Sequence, residues 1–139
     1  MKITSRKYKL SDLDRHLELL KSNKIKASKS KEKKWLEKAI NNYKEKNPKF
    51  YVLAILLNKK LIGNVIAEKI KSESLYIGYW IGKDYWNKGY TTKALKLFLK
   101  EIKKRFKPKK ILASSSNKAS KRVLEKCKFK KKGRFMELK

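Results

Sequence analysis

Apolar positions along the chain switch between two spacings, and the switches mark its elements. Residues 2 to 8 alternate as a strand does, and Ser11 stands as a hydroxyl N-cap ahead of Leu13, Leu17 and Leu20, which share one helical face. Lys21 to Lys34 is polar and lysine-rich and reads as a connection. Trp35, Leu36, Ala39, Ile40 and Tyr43 then recur at helical spacing until Pro48 stops the pattern. Phe50 to Leu57 is a nearly unbroken apolar run, Asn58-Lys59-Lys60 is a polar turn, and Leu61 to Ile70 resumes, which predicts a hairpin. Leu75 to Ile81 is aromatic and β-branched and suits a central strand. Ala94, Leu95, Phe98, Ile102 and Phe106 mark a long amphipathic helix ended by Pro108. A short strand Lys110 to Ala113, a polar loop through Asn117, and a last helix with Ser120, Val123, Leu124 and Cys127 on one face come next. Phe129 opens a final basic strand that runs out at the C-terminus.

The order β-α-α-β-β-β-α-β-α-β joins an antiparallel meander to a right-handed parallel crossover. It predicts an α/β (α+β) fold: a mixed, mostly antiparallel central sheet of about six strands with helices on both faces. No repeat or low-complexity linker divides the 139 residues, so they read as one domain over 1–139.

Charge adds a constraint. Lys and Arg number 41 against 12 Asp and Glu, a formal +29, and such a surface attracts polyanions. The basic residues are mostly Lys and are spread from Lys2 to Lys139, whereas a dedicated nucleic-acid reader gathers Arg and aromatics on one stripe. Cys127 is the single cysteine and His16 the single histidine, which argues against a disulfide framework and against a metal site. No stretch approaches the ~20 apolar residues of a membrane span, and Met1 leads into a charged segment, so the expected location is cytoplasmic with no membrane partner.

Most of the chemical information lies after the central strand. Gly82-Lys83-Asp84 breaks it just before Tyr85-Trp86-Asn87-Lys88-Gly89-Tyr90, which feeds directly into a helix. A glycine-bearing loop at that place presents backbone N–H groups at the positive end of a helix dipole, where phosphates bind. Gly89 permits close backbone approach, Thr91 and Thr92 offer hydroxyls, and Lys88 and Lys93 supply charge. The run from Ile77-Gly78-Tyr79-Trp80-Ile81-Gly82 through Thr92-Lys93-Ala94-Leu95 resembles the acetyl-CoA-binding motif of GNAT acetyltransferases. Asn117-Lys118-Ala119-Ser120, continuing to Cys127-Lys128-Phe129, resembles a second signature of their ribosomal-protein N-terminal acetyltransferase branch. The resemblance runs in order over roughly Phe50 to Arg134 and more loosely before it.

That resemblance implies an acyl-CoA N-acyltransferase fold and an enzyme that moves acetyl from acetyl-CoA to a primary amine, with a protein N-terminus or another amine as acceptor. It implies that backbone amides of Asn87, Lys88, Gly89, Tyr90, Thr91 and Thr92 hold the CoA pyrophosphate. The strand at Trp80, Ile81 and Gly82 would pair with the pantetheine arm, Asn117 would help hold it, and an N–H near Ile81 would polarise the thioester carbonyl. Ser120 is the candidate acid for the departing thiolate, with water as the alternative, because Leu124 stands where many relatives place a Tyr. Glu68, Glu73 and Asp84 are candidate bases, each with a solvated surface charge as its plain alternative.

The chain departs from the family's pattern at Asn87 and Lys128, where relatives carry Gly, and at Thr91 and Lys93. It also ends before a further closing strand is evident, which predicts an exposed sheet edge that a partner chain, in the simplest case a homodimer, would cover. Two other functions therefore stand beside the enzyme: a GNAT-fold protein that binds CoA with weak or lost activity, and a basic RNA-associated or ribosome-associated protein.

Overall fold

The computed structural model describes residues 2–71, 73–114 and 117–138, with the backbone alone described at Ile70 and Lys71. Met1, Lys139, Ser72, and Ser115 and Ser116 of the expected polar loop lie outside the described residues.

Strands β1 (Ile3–Arg6), β2 (Phe50–Leu57), β3 (Lys60–Lys71), β4 (Ser74–Ile81), β5 (Lys110–Ala113), β6 (Phe129–Lys132) and β7 (Phe135–Leu138) form one sheet in the order β1-β2-β3-β4-β5-β7-β6. Among the described residues β4 and β5 run parallel and the other pairs are antiparallel. The helices are α1 (Leu13–Ser22), α2 (Lys29–Asn42), α3 (Tyr90–Phe106) and α4 (Lys118–Lys126).

The unbroken apolar run of β2 is explained by its burial on both faces. Tyr51, Leu53 and Ile55 enter a core shared with Ala94, Leu95, Phe98 and Ile102 of α3 and Leu124 of α4. Val52, Ala54 and Leu56 enter a second core with Leu13 and Leu19 of α1 and Leu36 and Ala39 of α2. The sheet is thus covered from both sides, as the pattern predicts.

Three expectations are corrected. Among the described residues the sheet has seven strands, because the expected final strand is a hairpin: β6 turns at Gly133, which has φ 63°, and returns as β7. β7 inserts between β5 and β6, pairing Leu112 with Glu137 and Ala113 with Met136, so the closing strand thought absent is present. Its partner β6 sits at the sheet edge and is lysine-rich, which hides it from a search for apolar alternation. The second correction is that α2 begins at Lys29, inside the expected connection. Ser28 caps it by accepting from the Lys31 amide at 3.5 Å, and lysines are good helix formers on a solvent face.

Third, α1 starts at Leu13 behind a short 3₁₀ turn over Leu10–Asp12, so Asp12 replaces Ser11 as the organising residue. Its carboxylate accepts from the Lys9 amide at 2.8 Å and from both terminal nitrogens of Arg6 at 2.8 and 2.9 Å. Burial pushes the Asp12 carboxyl up, and the Arg6 guanidinium and Lys9 amide outweigh it, holding the group below its ordinary value.

Lys128 follows α4 with φ 71°, in the left-handed region that favours glycine at a helix end. Lys128→Gly is therefore expected to raise the unfolding free energy by about 1 kcal/mol in urea titration, since it relieves the Cβ penalty. Asn87, the other departure from the family's glycines, has φ 60°, a conformation that Asn tolerates well. Among the described residues, no helix is long and apolar enough to cross a membrane.

Candidate functional site

β4 and β5 part company halfway along β4. Their pairing runs from Ser74 opposite Lys110 to Ile77 opposite Ala113, and β5 ends there, while β4 continues to Ile81 beside β3. A slot therefore opens between residues 78–81 and the first turn of α4.

Strand alternation decides which backbone groups line it. The Gly82 amide donates to the Ile62 carbonyl at 2.8 Å, so Gly82, Trp80 and Gly78 turn their backbone groups toward β3. Tyr79 and Ile81 turn theirs the other way, into the slot. The Ile81 carbonyl is taken by Asn23 Nδ2 and Trp86 Nε1, each at 3.0 Å. Asn23 Oδ1 also accepts from the Lys83 amide at 2.7 Å, so one side chain at the end of α1 fixes both sides of the Gly82 break. Sequence reasoning missed Asn23, because nothing local connects it to residues nearly sixty positions away.

Beyond Gly82 a 3₁₀ turn over Lys83–Tyr85 leads to the exposed stretch Trp86-Asn87-Lys88-Gly89 and then to α3. Asn87 and Gly89 both have positive φ, 60° and 79°, so the chain turns twice in the left-handed region just before the helix starts. Gly89 is the N-cap and has no side chain to satisfy the first-turn amides of this 17-residue helix. A Cβ built on Gly89 meets nothing within 4 Å, so the space in front of the helix is open. Thr91 and Thr92 lie half-buried in the first turn, and Lys88 Nζ bonds the Asp84 carbonyl at 3.3 Å. A helix N-terminus flanked by lysines is a place where oxyanions bind well.

On the α3 side of the slot, Tyr79 reaches across to the first turn of α4. Its hydroxyl donates to the Ser120 carbonyl at 3.1 Å and stands 2.9 Å from Ser120 Oγ. Burial pushes the Tyr79 phenol above its ordinary value, so the group stays protonated. Asn117 caps α4, its Oδ1 accepting from the Ser120 amide at 2.8 Å, and this fixes Ser120 at the slot. Cys127 is buried in the α3 core with its thiol bonded to the Thr92 carbonyl at 3.8 Å and pushed up by that burial, a packing role.

The opposite face of β4 carries Trp80 toward α1, its ring 5.8 Å from that of His16. Tyr76, two pleats earlier, continues that face outside the second core, as one row of the sheet: Glu68, Tyr76, Leu112 and Glu137 stand opposite one another in turn. Two carboxylates thus flank one stretch of sheet surface. Glu137 is mostly buried and 3.9 Å from Lys132 Nζ, whereas Glu68 is exposed. Glu73 is not brought near: it lies in the turn before β4, paired to Lys109 at 2.9 Å, about 25 Å of strand from Ile81. Asp84 is exposed in the 3₁₀ turn.

Comparison with known proteins agrees with this geometry. The GNAT acetyltransferase domain matches residues 2–130. The ribosomal-protein-S5-alanine acetyltransferase from Vibrio fischeri superposes with a TM-score of 0.83 at 20% identity, covering 96% of this chain and 82% of that one. Mycobacterium smegmatis RimJ, solved with CoA-disulfide, gives 0.82 at 14% identity over 97% and 79%. The microcin C7 self-immunity acetyltransferase MccE, solved with acetyl-CoA and AMP, gives 0.78 at 25% identity over 92% and 78%. No curated protein matches at a significant level. With the family matched over nearly the whole sequence and the split β4–β5 pair feeding a left-handed loop at a helix start, the chain belongs to the GNAT acetyltransferase domain family.

Proposed function

We propose that this protein transfers the acetyl group of acetyl-CoA to a primary amine, with a protein N-terminus as its acceptor. The observation that carries the reading is the split of the sheet, in which β4 runs on past its last β5 pair at Ile77 and leads through the left-handed turns at Asn87 and Gly89 into the start of α3. Pantetheine carries amides spaced to pair with such an edge, and its diphosphate suits the loop. The solved complexes of MccE with acetyl-CoA and of RimJ with CoA-disulfide support the donor, and the name of the Vibrio fischeri enzyme supports a ribosomal-protein acceptor.

The residues divide the work as follows. The Ile81 N–H, aimed into the slot, polarises the thioester carbonyl. The amine approaches from the face that bears Glu68 and Glu137, two carboxylates that draw a cation in a molecule of net charge +29. Glu68 and Glu137 stand in the row of Tyr76, about 17 Å of strand from Ile81, so they draw the cationic amine toward this face while water at the slot takes its proton. Ser120 protonates the departing thiolate from the α4 side. The closing strand β7 is present, which removes one of the grounds for the CoA-binding alternative, the missing strand, while the departures at Asn87, Thr91 and Lys128 stand.

The test is acetyl transfer from acetyl-CoA to three matched peptides: one with a free N-terminus, one blocked at the N-terminus with a free lysine, and one blocked at both. Mass gain on the first alone is the expected result. Gain on the lysine peptide alone would reassign the acceptor, and saturable acetyl-CoA binding without transfer to any amine would sink the enzymatic reading.

A further inference from the structure

The hydrogen bonds around Ser120 contain a choice that its own side chain cannot make. Tyr79 has one phenolic hydrogen and two acceptors within reach, the Ser120 carbonyl at 3.1 Å and Ser120 Oγ at 2.9 Å. When that hydrogen points to the carbonyl, the Ser120 hydroxyl proton rests on the Tyr79 oxygen and is turned away from the slot. When it swings to Oγ, the Ser120 proton is released toward the slot, and the oxygen it leaves is stabilised by a donor already in place. The backbone holds both partners still: β3 anchors β4, and the Asn117 cap anchors the first turn of α4.

We infer that Tyr79 is a positioning residue for Ser120, a hydroxyl switch that aims the serine proton at the sulfur and then hydrogen-bonds the oxygen that has given it up. The inference rests on the reading of Ser120 as the proton donor. The step balances without a further reactant. The amine nitrogen bonds to the acetyl carbon, the carbon–sulfur bond breaks with its electron pair on sulfur, and sulfur takes the Ser120 proton. The nitrogen gives up one proton to water, and exchange with water returns one to Ser120. The Tyr79 hydrogen moves between acceptors and is never transferred.

The experiment is a double-mutant cycle of Tyr79→Phe and Ser120→Ala on steady-state acetyl transfer, with thermal unfolding run on each variant. Tyr79→Phe removes one oxygen, and is expected to lower kcat about 10-fold while KM for acetyl-CoA stays within twofold. Ser120→Ala is expected to lower kcat about 100-fold, and the double variant to be no slower than Ser120→Ala alone. Ser120→Thr, which keeps a hydroxyl, should retain its dependence on Tyr79. A wild-type kcat for Tyr79→Phe beside a slow Ser120→Ala would overturn the switch and leave the proton donor standing. The same Tyr79→Phe loss in both serine backgrounds, or a loss in KM instead of kcat, would reduce Tyr79 to packing. A wild-type kcat for Ser120→Ala would remove the donor and the switch together.

Discussion

Replacing Gly63 by Ala is expected to cost more than about 4 kcal/mol of unfolding free energy, enough to leave a domain of this size largely unfolded at 37 °C. A Cβ at that position would stand 2.1 Å from the Trp80 carbonyl oxygen, 2.7 Å from Ile81 Cα and 2.8 Å from Ile81 Cγ2. Two of these three are backbone atoms, so no rotamer change relieves them, and β4 has nowhere to retreat. Its Ile81 carbonyl is held by Asn23 and Trp86, and Ile81 itself is packed into the α3 core. The comparison that isolates the cause uses the neighbouring glycines. At Gly78 the nearest atom to an added Cβ is Ile66 Cγ2 at 3.1 Å, a side-chain methyl that need give only a few tenths of an ångström, and at Gly82 it is Leu19 Cδ2 at 2.7 Å, the end of a flexible side chain. Gly78→Ala and Gly82→Ala are each expected to cost about 1 kcal/mol. Urea unfolding of the three variants checks this, and three similar midpoints would mean that β3 does not approach β4 closely at Gly63. The functional consequence follows from the place: Gly63 sits opposite Ile81, where β4 has left β5, so the close backbone approach there sets the edge of the slot.

What the sequence revealed of this site was what lies close together in the chain. Asn87, Gly89, Thr91 and Thr92 lie within six residues at the start of α3, so the local glycine and the family resemblance together pointed to this loop as the candidate. β2 and α3 were legible because burial on both faces, or on one helical stripe, leaves a strong mark on residue type. The hairpin of β6 and β7 was not, since an edge strand of lysines carries no apolar period and its turn rests on Gly133 alone. The row from Glu68 through Tyr76 and Leu112 to Glu137 draws on four strands separated by α3 and α4, and sheet register is what assembles it. Tyr79 was read as an aromatic of the motif, yet its hydroxyl meets a helix forty residues later. Glu73 shows the opposite error: close in sequence to β4, it stands at the wrong end of the strand, tied to Lys109.

Gly89→Asp should abolish acetyl-CoA binding and leave the fold and the polyanion affinity of the surface nearly intact. The expected loss in affinity is at least 100-fold, about 2.7 kcal/mol, because a carboxylate placed before the first amides of α3 faces the negative oxygens those amides would bind. The fold survives for two reasons. A Cβ on Gly89 meets nothing within 4 Å, and Asp is among the residues that tolerate the left-handed conformation found there, φ 79°. Charge arithmetic makes the variant decisive between the two readings of this basic chain. The substitution takes the formal charge from +29 to +28, too small a change to alter a delocalised attraction for RNA, whose affinity falls with salt in both proteins. A site-bound diphosphate responds to the one local charge; a polyanion on the surface responds to all of them. Calorimetric titration with acetyl-CoA at low and moderate salt, beside a single-stranded RNA, therefore separates them. Loss of acetyl-CoA binding with RNA binding unchanged places the cofactor at this loop, whereas equal weakening of both, or acetyl-CoA affinity that survives the aspartate, means that the lysine surface and not the helix start was holding the nucleotide.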